Sequence, residues 1–525
     1  MTPLAQAPKR LDDVARGCLD ALATPELRRK LQGATDDSRQ VRPGDLFIAY
    51  PGHSSDGRRH IGEALARGAA AVCWQPGDGF VWDSRLAAPN LCVPDLRPLA
   101  GPLAHELAGR PCERLSLLAI TGTNGKTSIS QWLARAWPQR CGVIGTLGAG
   151  FVGETRETGF TTPEATTLAR LLAQMVAGGA RACALEASSI GLEEGRLNGA
   201  RVDTAMFTNL TRDHLDYHGS MKAYAAAKEK LFRWPDLRLA IINLDDASGQ
   251  ALARASTAQK IIGYSLAPER FARDGVAFVG ARGLRATHIG QAFTLVSPWG
   301  EAEVETAVLG RYNIANLLAV ATALLDAGVS LTETAARLAR LEPLPGRMER
   351  YGGSLEGEAA PLVAVDYSHT PDALDNALTA LRPLAEARGG RLICVFGCGG
   401  DRDHGKRPLM GAIAHRCADV VWITSDNPRS EDPLAIIREI RMGIPEGAAV
   451  RVDADRGATI RAAVMEASAR DVILLAGKGH ETYQEIAGVR HHFQDGEQAN
   501  AALAAWRLRA GQRPQPELRA MRGAA

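Results

Sequence analysis

Residues 115–131 constrain the fold of this chain more than any other stretch. They begin with an apolar, strand-like run, continue through TGTNGKT at residues 121–127, and pass at once into a helical pattern. A strand, a Gly-rich turn and a helix N-terminus in that order present backbone N–H groups and a helix dipole to an anion, with a Lys for the β- and γ-phosphates and a Thr hydroxyl for Mg²⁺. The TGTNGKT segment, residues 121–127, is here named the phosphate turn; with the strand before it and the helix after it, it predicts nucleotide binding in an α/β domain.

One departure weakens the motif when it is taken alone. The full pattern G-x-x-x-x-G-K-[ST] has a Gly where this chain has Ile120. Gly-Lys-Thr also occurs in ordinary turns, so the prediction depends on the strand before Gly122 and the helical pattern from Lys126 onward.

Composition is that of an ordinary soluble protein and argues against several kinds of partner. The 525 residues suggest about three domains. A hydrophobic content of 46%, a charged content of 23% and a net charge of +2 give no reason to expect nucleic-acid or membrane binding. Nine Cys without a C-x-x-C pair indicate reduced thiols, no apolar run approaches the ~18 residues of a membrane span, and the N-terminus lacks a signal peptide's apolar region. We expect a cytoplasmic protein that works as a monomer.

The alternation of strand-like and helix-like segments predicts three α/β domains. Residues 1–110 form a small α/β domain, residues 111–345 a central domain with a parallel sheet and the phosphate turn, and residues 346–508 a C-terminal domain. A polar, Gly-rich β meander is expected at 262–308, and residues 344–347 are typical of a hinge. The Arg-, Ala- and Pro-rich end, from about Trp506 and including residues 509–525, is expected to be loosely ordered.

Polar side chains follow the buried strands of the central domain. Glu186 ends one short apolar strand, and Asp213, His214 and Asp216 follow another. Because functional groups gather at the carboxyl ends of parallel strands, where the phosphate turn also lies, we expect these side chains near the phosphates.

The C-terminal domain alternates so regularly that it predicts a doubly wound, Rossmann-like parallel sheet. Three loops after its strands, here named the amino-acid loops, are rich in Gly and charge and span residues 397–408, 425–433 and 477–484. Each alone could be solvated surface, but three on one face of a sheet favour a binding site. By contrast, the turns DSR at 37–39 and GHSSDG at 52–57 are first interpreted as ordinary surface turns.

Eleven motifs, in order along roughly residues 35–500, resemble those of the Mur ligase family. They are TGTNGKT (121–127), TTPE (161–164), LEASS (185–189), NLTRDHLDYHG (209–219), YAAAKEKLF (224–232), YNIAN (312–316), LPGRMER (344–350), VDYSHTP (365–371), GCGGDRDHGKRP (397–408), SDNPR (425–429) and GKGHE (477–481).

The resemblance implies three domains that bind a UDP-sugar, ATP and the incoming amino acid in chain order. It implies that ATP, UDP-N-acetylmuramoyl-L-alanyl-D-glutamate and an amino acid give a UDP-muramoyl-tripeptide, ADP and phosphate, in peptidoglycan precursor synthesis and hence in cell-wall growth, cell shape and division. A carboxylate is a poor electrophile, so ATP first converts it to an acyl phosphate, which the amine attacks. Both steps concentrate negative charge, which cations and preorganised donors stabilise.

By position, the resemblance assigns residues to ATP and to Mg²⁺. The ATP set is Gly122, Thr123, Asn124, Gly125, Lys126, Thr127, Ser128, Asn313, Arg347 and Asp366; the metal set is Thr127, Glu186, His214 and Lys228; and the catalytic set is Lys126, Lys228, His214 and Glu186. Lys228 is expected to be carbamylated by CO₂, which turns a cation into an anion that can ligate Mg²⁺. The simpler alternatives are a solvated helix lysine for Lys228, a capping or buried structural histidine for His214, and caps or turn formers for Asn313 and Asp366.

The resemblance also assigns the UDP-muramoyl-dipeptide. The uridine nucleotide is expected at Ser38, His53, Ser54 and Ser55, and the muramoyl-dipeptide at Thr161, Thr162, Ser188, Glu194 and Arg196. The chain departs from the family at Ile190, where a His is common, and at Glu194, where a Gln is common, so the dipeptide contacts there stay open.

The third substrate is implied by DNPR, which resembles the family's signature for meso-diaminopimelate. Diaminopimelate is lysine with a second carboxylate, which a guanidinium can bind through two parallel hydrogen bonds, whereas lysine would leave a buried Arg429 unpaired. Glu481 is expected to bind the ammonium at the distal centre. The full set is Arg402, Asp426, Asn427, Pro428, Arg429, Gly477 and Glu481, and a plain turn after a strand is the alternative for DNPR alone.

Two other functions are weighed against this one. A sister ligase, such as folylpolyglutamate synthetase or the D-Ala-D-Ala-adding Mur ligase, shares the phosphate turn and the domain order, but DNPR and GKGHE argue against it. A nucleotide-regulated switch protein would need no second cation site, so the predicted metal set argues against that class.

Overall fold

The computed structural model describes residues 10–22, 24–52, 55–271, 277–287, 290–353 and 360–509. Three main sheets occupy successive stretches of this chain, and a two-stranded hairpin follows the third. Parallel pairing dominates each main sheet, with helices packed on its faces, so the expected α/β class is confirmed. Within the described residues, no helix is both long enough and apolar enough to cross a membrane.

The first sheet is small and parallel throughout. Its strands are β1 (Gly33–Thr35), β2 (Asp45–Ala49), β3 (Ala71–Trp74) and β4 (Asn90–Cys92), paired in that order. Its helices are α1 (Leu11–Leu22), α2 (Pro25–Lys30), α3 (Ile61–Ala66) and α4 (Ala100–Leu107). Leu46 and Ile48 on one face of β2 share a hydrophobic core with Leu19 of α1 and Leu103 of α4.

The second sheet carries the phosphate turn. Its strands are β5 (Ser116–Thr121), β6 (Cys141–Gly145), β7 (Gly148–Gly150), β8 (Ala182–Glu186), β9 (Thr204–Phe207), β10 (Leu239–Asn243), β11 (Lys260–Ser265), β12 (Phe278–Ala286), β13 (Gln291–Ser297) and β14 (Gly300–Thr306). Its helices are α5 (Lys126–Ala136), α6 (Ala165–Ala177), α7 (Ser189–Glu193), α8 (Leu215–His218), α9 (Met221–Phe232), α10 (Ala247–Ala255), α11 (Arg311–Asp326) and α12 (Leu331–Ala339).

Strand β5 lies between β8 and β9 in the interior of this sheet, whose order is β14-β13-β12-β11-β10-β9-β5-β8-β6-β7. Side chains alternate between the two faces of a strand. Accordingly, Leu118 and Ile120 pack into one core, and Leu117 and Ala119 into the core on the other face. A strand buried on both faces explains the continuous apolar run before the phosphate turn.

The predicted meander is confirmed, with a shifted start. Strands β12, β13 and β14 pair antiparallel, whereas β11 pairs parallel with β10 and belongs to the main sheet. The meander therefore extends the edge of the nucleotide-binding sheet rather than forming a unit of its own.

The third sheet is doubly wound, as expected, with one antiparallel edge. Its strands β15 (Arg347–Gly352), β16 (Leu362–Asp366), β17 (Leu392–Phe396), β18 (Val420–Ile423), β19 (Arg451–Val452) and β20 (Val472–Ala476) have the order β15-β16-β20-β17-β18-β19. Strand β15 is antiparallel to β16, and the other pairs are parallel. The helices are α13 (Pro371–Ala387), α14 (Lys406–Cys417), α15 (Pro433–Arg441), α16 (Arg456–Glu466) and α17 (Asp495–Arg509), and the hairpin strands are β21 (Tyr483–Ile486) and β22 (Val489–His492).

Two expectations about the C-terminal end need correction. The third amino-acid loop ends in strand β21 rather than continuing as loop, because residues 483–486 pair with β22. Helix α17 extends through Trp506 to Arg509, and the Trp506 Nε1 donates to the Ala467 carbonyl at 2.9 Å, so order persists past the point where a loose tail was expected. Residues 510–525 lie outside the described residues.

The second and third sheets meet through polar side chains. The Asn124 Nδ2 donates to Asp372 at 3.2 Å, and Arg212 forms an ion pair with Asp403 at 2.8 Å. Asn124, Arg212 and Asp403 lie in loops that follow strands. Asp372 lies in the first turn of α13. The two contacts therefore bring the phosphate turn and the first amino-acid loop to the same cleft.

Candidate active site

The phosphate turn is a tight connection between β5 and α5 that only glycine can make at two positions. Gly122 and Gly125 have φ values of +145° and +90°. A Cβ at Gly122 would overlap the Thr208 side chain. The turn is fixed from the neighbouring strand, since Asn124 N donates to Asn209 Oδ1 at 2.9 Å and Thr208 Oγ1 donates to the Asn124 carbonyl at 2.6 Å.

Ile120, which departs from the full phosphate-loop pattern, lies inside β5 rather than in the turn. It is fully buried and pairs in register with Glu186 of β8 and Met206 of β9. A strand residue at this position needs no positive φ, so the absence of Gly there leaves the turn intact.

Lys126 folds back over the phosphate turn. Its Nζ donates to the carbonyls of Gly122 at 2.9 Å and Thr123 at 2.8 Å. Burial lowers the pKa of Lys126, and the carboxylates of Glu186 and Asp213 oppose that shift. An ammonium held only by main-chain carbonyls can exchange them for phosphate oxygens.

Glu186, the last residue of β8, and Thr127, in the first turn of α5, form a buried pair of oxygen-bearing side chains. The Thr127 Oγ1 donates to Glu186 Oε2 at 3.0 Å. Thr146 donates to the same carboxylate through its backbone N and its hydroxyl, both at 3.0 Å. Hydroxyl and carboxylate oxygens suit Mg²⁺. Sequence reasoning missed Thr146, although its place directly after β6, at the same sheet edge, was an available signal.

Lys228 is not a solvated helix lysine, so that alternative is wrong. Its side chain is buried, with the whole residue 2% exposed, and its Nζ donates to the Gly122 carbonyl at 2.9 Å. The Nζ also lies 4.3 Å from the centroid of the Tyr224 ring. Burial, reinforced by the charge of Lys126, lowers the pKa of Lys228 well below its usual value. Lys230, two residues on, is instead exposed and paired with Glu193 at 2.7 Å.

His214 lies beside this cluster in a left-handed conformation, with φ of +52°. His214 stands at the N-cap position of α8, but its half-buried side chain makes no capping hydrogen bond, so a side-chain cap does not describe it. Its Nε2 is 3.5 Å from Asp213 Oδ2. Burial lowers the pKa of His214 against the pull of Asp213, while the nearby charges of His214 and His369 hold the pKa of Asp213 at about 2 in spite of its burial.

The residues expected to hold Mg²⁺ fit the ion to different degrees. Among the described residues, no three His, Cys, Asp or Glu side chains are grouped as a metal site would require. The expected metal ligands are instead a hydroxyl from Thr127, a carboxylate from Glu186, an imidazole from His214 and a carbamylated Lys228. Thr127 and Glu186 fit as they stand, whereas the Lys228 amine fits only after conversion to an anion.

A cavity of about 570 Å³, the nucleotide cavity, opens beside the phosphate turn between the second and third sheets. This volume is typical of small-molecule sites. Its lining includes six of the ten residues expected to contact ATP: Asn124, Gly125, Ser128, Asn313, Arg347 and Asp366.

Three of these residues come from the junction between the sheets. Arg347 begins β15, donates from Nη2 to Thr127 Oγ1 at 3.2 Å, and places its guanidinium 4.7 Å from the Tyr367 ring centroid. Asp366 ends β16 and accepts from Met348 N at 2.8 Å. Asn313 lies inside α11 rather than capping it, and its Nδ2 donates to the Leu309 carbonyl at 2.9 Å.

The residues expected at the muramoyl-dipeptide form one hydrogen-bonded cluster next to Glu186. Thr162 Oγ1 donates to the Glu186 carbonyl at 2.7 Å and lies 3.0 Å from Ser188 Oγ. Arg196 Nη1 donates to the Thr162 carbonyl at 2.9 Å and pairs with Glu194 at 2.6 Å. Glu194 is thus engaged by Arg196, an ion pair that the more common Gln would not form. Thr161 joins the cluster through Thr146, with 3.2 Å between the hydroxyls.

The uridine set is only partly within the described chain. His53 and Ser54 lie outside the described residues. Ser38 is buried and donates to Glu63 Oε2 at 2.9 Å, and Ser55 lies 3.3 Å from His60 Nε2. Asp37, next to Ser38, has the side chain to backbone hydrogen bond of an ordinary turn, since its carboxylate accepts from Arg39 N at 3.0 Å.

The three amino-acid loops converge at the carboxyl ends of β17, β18 and β20. Gly400 N donates to the Asn427 carbonyl at 2.9 Å, and Arg429 Nη1 donates to the Gly400 carbonyl at 2.7 Å. Asn427 Nδ2 donates to Glu481 Oε2 at 2.7 Å, which links the second loop to the third. A Cβ at Gly477, where φ is +116°, would press on the Asp426 carboxylate.

The members of this set differ in how they are held. Arg429 is fixed in a left-handed conformation with φ of +52°, and its backbone N donates to the Glu485 carbonyl at 3.0 Å. Pro428 precedes it in the same turn. Arg402 is exposed and donates to the Asp401 carbonyl at 3.1 Å, so it has no direct contact with Asn427 or Glu481 in the hydrogen bonds observed.

Sequence reasoning missed Lys478 within GKGHE. It is fully buried, and its Nζ donates to Asn427 Oδ1 and Glu481 Oε2, both at 3.0 Å. Burial and the neighbouring Asp426 raise the pKa of Glu481, and Lys478 opposes that shift. A Lys directly after a buried strand, in a loop already suspected of binding, was the available signal.

This chain is similar to known proteins over most of its length. Three family models match the chain: "Mur ligase family, catalytic domain" at residues 30–91, "Mur ligase middle domain" at 120–324 and "Mur ligase, glutamate ligase domain" at 346–479. A relative from Chromobacterium violaceum is 50% identical over 91% of this chain and 94% of its own length, and one from Pseudomonas aeruginosa is 49% identical over 92% and 98%. The chain belongs to the Mur ligase family.

Both of these Mur ligase relatives are named UDP-N-acetylmuramoyl-L-alanyl-D-glutamate--2,6-diaminopimelate ligase. A solved structure of a ligase with that name is 39% identical, covers 90% of this chain and 95% of its own, and superposes with a TM-score of 0.64. MurF from Acinetobacter baumannii, at 17% identity and a TM-score of 0.58, shares the fold.

Proposed function

We propose that this Mur ligase adds meso-diaminopimelate to UDP-N-acetylmuramoyl-L-alanyl-D-glutamate, with ATP converted to ADP and phosphate, in peptidoglycan precursor synthesis. The observation that carries the proposal is the meeting of two half-sites in one cleft. The phosphate turn lies on one sheet and the amino-acid loops on the next, and Arg347 reaches across from β15 to Thr127 at 3.2 Å. The names of the two relatives, which are 50% and 49% identical to this chain, contain the same two substrates.

The division of labour between domains follows from this arrangement. Residues 1–110 are proposed to bind the UDP-sugar, residues 111–345 to bind ATP, and residues 346–508 to bind the amino acid. The nucleotide cavity supports the second assignment, because it is lined by the phosphate turn and by residues at the junction such as Asn313 and Asp366. The convergence of the three amino-acid loops supports the third assignment.

Activation of the dipeptide carboxylate requires cations around the phosphates. We assign Lys126 and the backbone N–H groups of residues 122–128 to the ATP phosphates, because the Lys126 ammonium already lies over the turn. Thr127 and Glu186 would hold one Mg²⁺, which neutralises charge on the phosphates when bound. Thr146 orients Glu186 through two hydrogen bonds, and so keeps one carboxylate edge toward Thr127.

Lys228 is proposed to be carbamylated and, with His214, to hold a second Mg²⁺. Only a neutral amine attacks CO₂, and burial lowers the pKa of Lys228 so that the neutral form is accessible. The Nζ lone pair forms the N–C bond, one C–O π pair moves to oxygen, and the nitrogen loses a proton. The product is an anion at a position whose present partner is the Gly122 carbonyl.

Choice of diaminopimelate over lysine is assigned to Arg429 and Glu481. The Arg429 fork can bind the distal carboxylate, and Glu481 the distal ammonium. Lysine would leave the guanidinium without its anion, which is how a polar pocket rejects an analogue that lacks one group. We further propose that the protein acts in the cytoplasm on small-molecule substrates and as a monomer.

Phosphate release by the purified protein tests this function. ATP, Mg²⁺ and UDP-N-acetylmuramoyl-L-alanyl-D-glutamate are supplied with meso-diaminopimelate, with L-lysine or with no amino acid. We expect release only with diaminopimelate. Release with lysine as well would keep the ligase and remove the assignment of Arg429, and no release in any of the three would favour a sister ligase or a switch protein.

A further inference from the structure

We infer that Lys478 is a positioning residue that sets the charge of the amino-acid pocket, and thereby its preference for an amino acid whose far end is zwitterionic. The inference rests on the proposed function, because it concerns which amino acid that reaction accepts.

Lys478 is a buried cation whose hydrogen bonds all go to groups of the amino-acid loops. Its side chain is 0% exposed, and its Nζ donates to Asn427 Oδ1 and to Glu481 Oε2, both at 3.0 Å. The Asp426 carboxylate lies 3.9 Å from the same nitrogen. An ammonium has three donors and no acceptor, and a buried one persists only where it is paired.

These contacts join two loops that are far apart in the chain. Glu481 Oε2 also accepts from Asn427 Nδ2 at 2.7 Å, and Asn427 Oδ1 also accepts from Glu485 N at 2.9 Å. Asn427 is therefore held at both ends of its amide, two residues before Arg429. Through Asn427, Lys478 fixes the turn that carries the Arg429 fork without itself needing to touch the substrate.

The charges explain why a lysine, rather than a neutral donor, lies at this point. Asp426 and Glu481 together carry two negative charges, which Lys478 reduces to a single net negative charge. Arg429 supplies one positive charge on the neighbouring turn. One negative and one positive region match the distal ammonium and carboxylate of diaminopimelate. Without Lys478 the cluster would attract the ammonium more strongly and repel the carboxylate.

Three amino acids separate this role from a merely structural one. Diaminopimelate has both distal charges, L-lysine only the ammonium, and 2-aminopimelate only the carboxylate. We would measure kcat/KM for each by phosphate release in the full chain and in Lys478→Met, with an inhibition constant against diaminopimelate for any analogue that is not turned over. Lys230→Met is the matched control, since Lys230 is exposed and pairs with Glu193.

Lys478→Met is expected to weaken the use or binding of 2-aminopimelate most, that of diaminopimelate less and that of lysine least. The ratio of diaminopimelate to lysine should fall by about tenfold or more, because specificity is a difference between affinities. Losses by one common factor for all three amino acids would overturn the inference. A wild-type protein that releases no phosphate with diaminopimelate would instead remove the proposed function.

A second comparison keeps the test decisive if Lys478→Met alone does not fold. Removing one partner of a buried pair leaves a charge uncompensated, and the double variant Lys478→Met/Glu481→Gln removes both. Relative to Glu481→Gln alone, the double variant has one positive charge fewer and should shift preference toward lysine. Equal preferences in these two variants would also overturn the inference.

Discussion

The lysines at the two ends of the cleft are held by different kinds of partner. At the phosphate turn, Lys126 and Lys228 donate to main-chain carbonyls, and both reach that of Gly122. In the amino-acid loops, Lys478 donates to a side-chain carboxylate and a side-chain amide. A carbonyl is a weak partner that an anion can replace, whereas a buried ion pair is part of the pocket. The nucleotide end is thus arranged for exchange, and the amino-acid end is built in advance.

The largest effect should follow from removing the exchangeable cation nearest the phosphates. Lys126→Met deletes the ammonium that covers the phosphate turn, and we expect kcat/KM for ATP to fall by about 10³-fold. Steady-state phosphate release with saturating amino acid measures this, with Lys230→Met as the control of equal charge change. A variant that retained a tenth of the activity would show that Lys126 is not the phosphate ligand.

Lys228, the other lysine that donates to the Gly122 carbonyl, should respond to chemical rescue. Lys228→Ala is expected to lower kcat by about 10²-fold or more, since the proposed carbamate ligand would be lost. Short-chain carboxylates added to this variant should restore part of the rate, whereas Lys126→Met should not respond to them. Independently, ¹³CO₂ should give a carbamate NMR signal in the wild type that is absent from Lys228→Ala. Full activity of Lys228→Ala without additives contradicts the carbamate assignment.

In the amino-acid loops, a substitution should change the use of diaminopimelate and leave the use of ATP unchanged. Arg429→Lys keeps the charge but loses the planar fork, so kcat/KM for diaminopimelate should fall by about 10- to 100-fold. The KM for ATP should stay near its wild-type value, because Arg429 lies among the amino-acid loops and not at the nucleotide cavity. A parallel rise in the KM for ATP would mean that the amino-acid loops and the nucleotide cavity do not act independently.

The smallest effect is expected for stability, at the ion pair that joins the second sheet's loops to the amino-acid loops. The ion pair between Arg212 and Asp403 bridges the sheets, but the Arg212 side chain is 42% exposed. Solvent and salt screen such pairs, which typically contribute at most about 1 kcal/mol. Arg212→Ala should therefore lower the melting temperature only slightly, and added salt should shrink the difference between variant and wild type. A large loss of stability in high salt would identify this contact as a main support of the cleft.

The sequence was informative wherever the signal was local. The phosphate turn and the apolar strand β5 each depend on a few consecutive residues, and the alternation of the third sheet is a series of such short patterns. The structure has all three features. Helix α9, Met221–Phe232, is also a local feature, because Ala, Lys, Glu and Leu, which favour helices, make up most of it. The motifs that carry the family resemblance were equally local.

What the sequence did not reveal depends on distant partners. Thr146 and Glu186 are 40 residues apart, and Lys478 and Asn427 are 51 apart, so no spacing rule predicts either contact. Residues 483 and 484 are predicted as the end of a loop, because a strand as short as β21 is defined by its partner β22 rather than by its own composition. The buried state of Lys228 was equally hidden, since the same helix exposes Lys230 two residues later.

The amino-acid loops have a consequence for how enzymes of this architecture diversify. All three follow strands of the third sheet, and their mutual contacts are made among residues 397–487, well separated along the chain from the phosphate turn. Recombination that exchanges the C-terminal part of the gene would transfer the whole set together, with Lys478 and its partners still matched. A new amino-acid specificity can therefore be inherited as a single block while the phosphate turn, Glu186 and Lys228 are left unchanged.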